Sequence, residues 1–198
     1  MILAAEKLFS EKNYDEVTMN EIAKESEFTK RTLYQYFPSK EDIYFAVTLE
    51  GFKNLYNYCQ KALSKGDTGF DKLYHVCLAY YDFYKNNPKI FKLMNYIGYV
   101  KRNREKSISY REFRKFDIFM FKQLSELIKI GQKDGTIRPN IDPKKTTYAL
   151  IFLITGFFQQ LSQSGESFTE FISMSEKVFT EFSLDLLLSS ISILKPIT

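Results

Sequence analysis

Residues 18–41 read Thr18-Met19-Asn20-Glu21-Ile22-Ala23-Lys24-Glu25-Ser26-Glu27-Phe28-Thr29-Lys30-Arg31-Thr32-Leu33-Tyr34-Gln35-Tyr36-Phe37-Pro38-Ser39-Lys40-Glu41. This is two short helical patterns across a tight turn, followed by the start of a third helix. Thr18 with Glu21 three positions on is a capping box, in which hydroxyl and carboxylate satisfy amides orphaned at a helix start. A first helix therefore begins near Met19. Met19, Ile22 and Ala23 share a face at three-and-four spacing, Ser26-Glu27-Phe28 supplies the break, and Thr29 caps a second helix. The pattern is that of a helix-turn-helix whose second helix reads DNA.

In that second helix the apolar pair Leu33 and Phe37, four apart, sets the buried side. Counting about 100° per residue puts Arg31 and Gln35 opposite and Thr32 and Tyr34 on the flanks. Thr29 and Lys30 occupy the first turn, where a recognition helix presents base-contacting side chains. Arg forks onto guanine and Gln onto adenine in the major groove. Ser39, with Asp42 three positions on, starts the next helix, and its free amides together with Lys40 form a phosphate clamp. On a helix without this context, Arg31 and Gln35 would be an ordinary solvated face; the tandem caps and turn spacing favour the reading role. Tyr34 and Tyr36 either pack on neighbouring helices or reach a phosphate.

The segment resembles the TetR/AcrR family of one-component transcriptional regulators. The resemblance runs from Ile2-Leu3-Ala4-Ala5-Glu6-Lys7-Leu8-Phe9 through Asn13-Tyr14 and Val17-Thr18 into Ile22-Ala23, Thr32-Leu33-Tyr34-Gln35-Tyr36-Phe37 and Ser39-Lys40-Glu41. It implies phosphate contacts from Thr18, Tyr34, Tyr36 and Lys40, and approach to bases by Thr29, Lys30, Arg31 and Gln35. Three positions depart from the family pattern. Glu27 stands in the turn where a small residue or Gly is usual, so it must either adopt an uncomfortable backbone angle or use another turn. Arg31 replaces a common Gly, which makes base preference this chain's own. Asn13 stands where Gly often follows the first helix, and Asn is the next best residue for a left-handed cap.

Composition bounds the remainder. The 198 residues suffice for one core or for a small domain joined to a larger one by a shared helix. With 19 Phe and 14 Tyr but only 5 Pro and 8 Gly, little material is left for linkers, and a compact helical protein is expected. No run approaches the roughly twenty apolar residues of a membrane span, and Glu6 and Lys7 interrupt any secretory signal, so the expected location is cytoplasmic. Cys59 and Cys77 lack motif spacing and read as two reduced, packed thiols, a redox sensor being the alternative. The formal net charge is +4, yet residues 1–50 hold six Lys and Arg against ten Asp and Glu, a net of −4. DNA binding must then rest on local placement of Lys30, Arg31 and Lys40 and on dimerisation. Residues 101–115 carry seven basic against two acidic groups; they read as a solvated face, or as attraction for an acidic effector or nearby phosphates.

Further along, a long helix is predicted from Ser39 to about Lys65, and an apolar one through Phe70, Leu73, Tyr74, Cys77, Tyr81 and Tyr84 after the break at Asp67-Thr68-Gly69. Asn87-Pro88 caps a short helix toward Tyr99. Another long helix runs from about Ser107 to Asp134, ended by Gly135. Asp142-Pro143 starts a segment to Gln163 that is apolar nearly all round, hence buried on more than one side. A capping box at Ser167 and Glu170 opens a last helix through Phe171, Val178, Phe182, Leu186 and Leu187. In the family that this chain resembles, the last two long helices pair with those of a second subunit as a four-helix bundle.

The expected fold is all-α: a helix-turn-helix DNA-binding domain over 1–47, then a helical effector-binding and dimerisation domain over 48–198. Within the latter, Tyr74, Tyr81, Tyr84, Phe91, Met94, Tyr96, Phe116, Phe119, Met120, Phe152 and Gln159 combine aromatic walls with polar handles, as a small-molecule pocket does; the plainer reading is that they fill a core. Tyr74, Tyr81, Met94, Phe116, Phe119, Met120, Phe152 and Gln159 are the candidate ligand contacts. The lone His75 reads as a core histidine. The expected function is a homodimeric repressor that binds a palindromic operator and is released by a small, largely apolar effector, without a metal or cofactor. A ligand-binding or adaptor protein of the same fold without sequence-specific DNA binding is the alternative. One His, no paired Cys, no Gly-rich phosphate loop and no nucleophile elbow offer no constellation for an enzyme.

Overall fold

The computed structural model describes residues 1–12, 14–97, 100 and 107–193. Asn13, with its expected left-handed cap, Tyr99 and the 101–106 part of the basic run lie outside the described residues. The described residues form nine α-helices and no strand: α1 Ile2–Glu11, α2 Met19–Glu25, α3 Lys30–Tyr36, α4 Lys40–Leu63, α5 Gly69–Asn86, α6 Pro88–Tyr96, α7 Ile108–Asp134, α8 Pro143–Phe171 and α9 Glu176–Ser189. They fall into two compact units, one of Met1–Leu55 with Asn87–Phe119, the other of Tyr56–Asn86 with Met120–Thr198.

The first unit is built around α4. Residues Asp42, Ile43, Tyr44, Phe45, Ala46, Val47 and Thr48 are all buried, nearly two turns, so the helix is packed on every side here rather than along one stripe. Tyr44 anchors one side: its ring meets Phe9 and Tyr14 edge-on, both at 5.0 Å, and its hydroxyl donates to the Leu93 carbonyl at 2.7 Å, which satisfies a phenol wholly removed from water. Phe45, about 100° further round the helix, packs against Tyr110 at 4.9 Å. Further along, α4 comes so close to α6 that a Cβ on Gly51 would lie 2.7 Å from Ile90 Cγ1 and 2.9 Å from Met94 Sδ. At α6 the Asn87-Pro88 start forms as expected, but the Asn87 side chain makes no cap; it accepts instead from Asn54 Nδ2 at 3.2 Å.

In the second unit α5 packs against α8 and α9. Phe158 is fully buried among the rings of Tyr80, Tyr81 and Tyr84, with centroids at 5.2, 6.1 and 6.0 Å. Asp134 at the end of α7 accepts from the Gly69 amide at 2.6 Å. Cys59 and Cys77 are buried free thiols, each pushed up to about 12 chiefly by loss of hydration. Among the described residues no helix is long and apolar enough to cross a membrane.

Two expectations about the C-terminal helices need correction. The helix that starts at Asp142-Pro143 does not stop near Gln163 but runs through to Phe171, and α9 starts at Glu176 with Ser175 as its cap. Ser167 lies inside α8 and donates back to the Ser164 carbonyl at 2.8 Å rather than opening a helix. Nor is the apolar segment of α8 covered all round: Phe152 is 76% exposed, with Tyr148 and Leu153 also exposed. A helix that is apolar on every face is here covered on some faces only by this chain.

Two helices end in one hydrogen-bond pattern, and a third ends on the same backbone angle. After α2 the Phe28 amide donates to the Ala23 carbonyl and that of Glu27 to Lys24; after α8 the Met174 amide donates to Thr169 and that of Ser173 to Glu170. These are Schellman closures, which place one residue in the left-handed region. At the end of α7 that residue is Gly135, φ 81°, whereas Glu27 and Ser173 adopt φ 58° and 51° with a Cβ. The turn of the helix-turn-helix thus accepts the uncomfortable angle. Left-handed geometry costs a Cβ-bearing residue about 1–2 kcal/mol, and glycine returns part of that gain through the entropy of the unfolded chain. Glu27→Gly is expected to leave stability unchanged or raise it by up to about 1 kcal/mol. Glu27→Val, β-branched, should lower it by about 1–2 kcal/mol. Equal thermal midpoints for the two variants would contradict this account of the turn.

Candidate nucleic-acid interface

The helix-turn-helix is held by caps and ion pairs before any DNA is present. The Thr18 hydroxyl accepts from the Glu21 amide at 3.3 Å, and Glu21 accepts in return from the Thr18 amide and hydroxyl, both at 2.9 Å. Thr29 caps α3 by accepting from the Thr32 amide at 3.1 Å, and the two hydroxyls lie 2.8 Å apart. Leu33 is fully buried and fixes which side of α3 faces in. Lys30, Arg31, Tyr34, Gln35 and Tyr36 are consequently exposed along the other faces, with Thr32 half-buried. Arg31 and Gln35 make no hydrogen bond or ion pair with the described residues, whereas the Lys30 ammonium lies 5.9 Å from the Tyr34 ring centroid.

Lys40 is placed differently. Its ammonium donates to the Tyr14 carbonyl at 2.8 Å and the Asp15 carbonyl at 3.3 Å, and sits 4.3 Å from the Tyr14 ring centroid. Ser39 caps α4 by accepting from the Asp42 amide at 3.1 Å. Asp42 does not return the favour to its own helix start: its carboxylate is buried and accepts instead from Ser107 and Ser109. No sequence spacing points to that contact, because the partners are 65 and 67 residues away. Sequence reasoning also missed an open apolar hollow of about 390 Å³ lined by Met1, Ile2, Leu3, Phe28, Tyr36 and Phe37.

The candidate ligand contacts divide between the two compact units. Met94, Phe116 and Phe119 belong to the first, where Met94 is buried and the rings of Phe116 and Phe119 lie 5.9 Å apart. Tyr74, Tyr81, Met120, Phe152 and Gln159 belong to the second. There the Tyr74 hydroxyl is pushed up to about 12 by burial and by Asp185, and that of Tyr81 to about 12 by burial and by Glu176. Each phenol is thus set against a carboxylate of α9. Phe152 lies at the surface. So do Phe171, Val178, Phe182 and Leu186; the last three recur every four residues along α9, opposite the buried Thr180, Leu184 and Leu188.

Comparison with known proteins follows this geometry. Residues 2–47 match the family model described as bacterial regulatory proteins, tetR family. Among curated proteins the chain is 29% identical over 100 residues to the HTH-type transcriptional activator FasR of Mycolicibacterium smegmatis, covering 50% of this chain and 46% of that one. It is 39% identical over 73 residues to IcaR of Staphylococcus aureus, the HTH-type negative transcriptional regulator of the biofilm operon icaADBC, covering 37% and 39%. The matched stretches thus span less than half the length of these relatives. Among solved structures, the transcriptional regulator FadR of Bacillus subtilis, in complex with stearoyl-CoA, superposes with a TM-score of 0.70 at 19% identity over 96% of this chain and 97% of that one; this likeness shows the fold.

Glu21 gives the interface a pH dependence. The ammonium of Lys12, at 2.5 Å, together with the amide and hydroxyl of Thr18, holds the carboxyl down at about 2, below its usual 4.5. A depressed carboxylate contributes stability that is complete above about pH 4.5 and is lost as pH falls through about 2; exposure to solvent keeps that contribution small. Glu21→Gln should flatten the acid limb of the stability curve between those values, and an unchanged acid limb in thermal melts would remove Glu21 as its source. Residues 2–47, the capped helix α3 among them, thus match the tetR family of bacterial regulatory proteins, and the fold along the chain is the one seen in FadR.

Proposed function

We propose that the chain is a DNA-binding transcriptional regulator: a homodimeric repressor that binds a palindromic operator through α3 and is released by a small, largely apolar effector. The observation that carries the reading is the outward face of α3, on which Arg31 and Gln35 stand exposed and unpaired among the described residues, on a helix whose start and buried side are both fixed. Arginine and glutamine are the side chains that pair bidentately with guanine and adenine edges. Thr29, Lys30 and Thr32 would lie along the same groove. Thr18, Tyr34, Tyr36 and Lys40 would fix register on the phosphates, which position the protein without specifying sequence. The relatives support regulation of transcription, and one is named an activator and another a negative regulator, so the repressor role rests on this proposal alone.

The dimer is supported by the exposed apolar side chains of α8 and α9. Phe152, Phe171, Phe182 and Leu186 are 76%, 86%, 60% and 66% exposed, more apolar surface than isolated side chains on a monomer explain. A two-fold pairing of these faces would set two reading helices about one DNA turn apart, roughly 34 Å. The effector domain is proposed for 48–198, with Tyr74 and Tyr81 as hydroxyl donors beside aromatic surface. FadR, of the same fold, holds stearoyl-CoA, which fits an effector with a long apolar part. A ligand of this kind lowers operator affinity only by binding the released state better than the reading state.

Selection of bound duplexes from a random library, without ligand, should enrich a palindrome, and Arg31→Ala with Gln35→Ala should abolish its footprint while weak, salt-sensitive binding to any duplex persists. A footprint unchanged in that variant would end the base-reading assignment. Phe182→Glu with Leu186→Glu places like charges across the proposed two-fold face. Sedimentation should then give the 23.4 kDa monomer where the unaltered chain gives twice that mass, and palindrome binding should be lost. A variant that stays dimeric would move the interface elsewhere.

A further inference from the structure

Asp42 is the one charged side chain among the described residues of the first unit that is buried: it is 1% exposed. A carboxylate there is costly unless its oxygens are filled by donors. Among the described residues its donors come from the start of α7. The Ser107 hydroxyl donates to Oδ1, the Ser109 amide to Oδ1 at 3.2 Å and the Ser109 hydroxyl to Oδ2 at 3.1 Å. Ser107 is itself the cap of α7, accepting from the Tyr110 amide at 2.9 Å, and is 8% exposed. One hydroxyl thus does two things at once: it starts α7 and locks that start onto α4. The carboxylate also places its negative charge at the amide end of α7, where a helix favours it.

On its other side Asp42 is tied to the reading helix. Its amide donates to Ser39 Oγ, and Phe37, the residue that closes α3, precedes Ser39 by two positions. A chain of contacts therefore runs from the first turn of α7 through Ser107, Asp42 and Ser39 to the end of α3. None of its links tolerates partial opening: if the first turn of α7 withdrew while Asp42 stayed buried, an ionised group would lose its donors in a dry site. The start of α4 must then follow α7 or let water in.

We infer that Asp42, through Ser107 and Ser109, is the positioning contact by which the first turn of α7 sets where α3 sits, so that displacement of residues 107–109 alters operator recognition without touching a DNA-facing side chain. The inference deepens the proposed function, since it rests on α3 as the reading helix. It predicts that residues remote from DNA in sequence and bonding govern specific binding, and that they do so as one unit.

The test uses the full chain, with Ser107→Ala/Ser109→Ala as one variant, Asp42→Asn as a second, and the triple combination. Without DNA, amide exchange in residues 29–45 should speed up in both the double variant and Asp42→Asn. On the duplex selected by the unaltered chain, each should bind about tenfold more weakly, the size expected when a buried charge loses donors or donors lose their charge. Binding to random duplexes should stay as it was. The triple variant should be no weaker than the double one, because a shared contact is lost only once. Unchanged exchange, or losses that simply add, would overturn the inference. Should the unaltered chain select no duplex, the proposed function fails on its own account, and the exchange measurement alone still decides whether the contact holds α3 and α4.

Discussion

Enclosure of α4 between Asp42 and Thr48 is the constraint on which the first unit depends. A helix covered on all sides has no solvated face on which to leave polar groups, so each must find a partner, in another segment or in the helix's own backbone. Tyr44 finds the Leu93 carbonyl, Asp42 finds Ser107 and Ser109, and the Thr48 hydroxyl turns back onto the Tyr44 carbonyl at 3.1 Å. These directional bonds fix rotation and register of α4 in a way that apolar packing alone does not. Because α3 closes at Phe37, three residues before α4 begins, the orientation of α3 is inherited from this enclosure.

Local signals in the sequence were strong wherever side-chain oxygen meets backbone amide. The caps at Thr18, Thr29, Ser39 and Asp142 form as the spacing predicts, and so does the glycine stop at Gly135. The end of α8 was illegible for a related reason. A Schellman closure usually announces itself with glycine, and here Ser173 occupies the left-handed position, while the Ser-Gly-Glu-Ser stretch that looks like a break continues as helix. Asn87 shows the opposite failure: the right residue stands at the cap, but Asn54 offers its amide and the side chain turns to it.

Nonlocal facts were beyond reach of spacing altogether. Nothing about Asp42 in sequence separates a helix-capping acid from one that serves a helix 65 residues away, because both readings want a carboxylate in a first turn. The exposed face of α8 and α9 was half legible: periodicity marked it apolar, but only the fold tells which apolar side chains this chain covers and which it leaves out. The orientation of the candidate DNA contacts was read from the pair Leu33 and Phe37; Leu33 is buried and fixes the rest of α3 by helical geometry, whereas Phe37 is only half-buried. The candidate ligand contacts had no such anchor, and they fall in two separate units.

Three lysines of residues 1–47 are ordered in two chemically different ways. Lys7 and Lys12 rest on the carboxylates of Glu25 and Glu21 at 2.6 and 2.5 Å, so each is immobilised and neutralised together. Lys40 rests on two uncharged carbonyls and a ring face. It has surrendered the freedom of a long side chain, worth about 2 kcal/mol, and has kept its whole charge. Residues 1–50 are net acidic, yet the number of cations there is a poor guide to the electric field: one cation held on uncharged partners, as Lys40 is, shapes it more than two that are each set on a carboxylate.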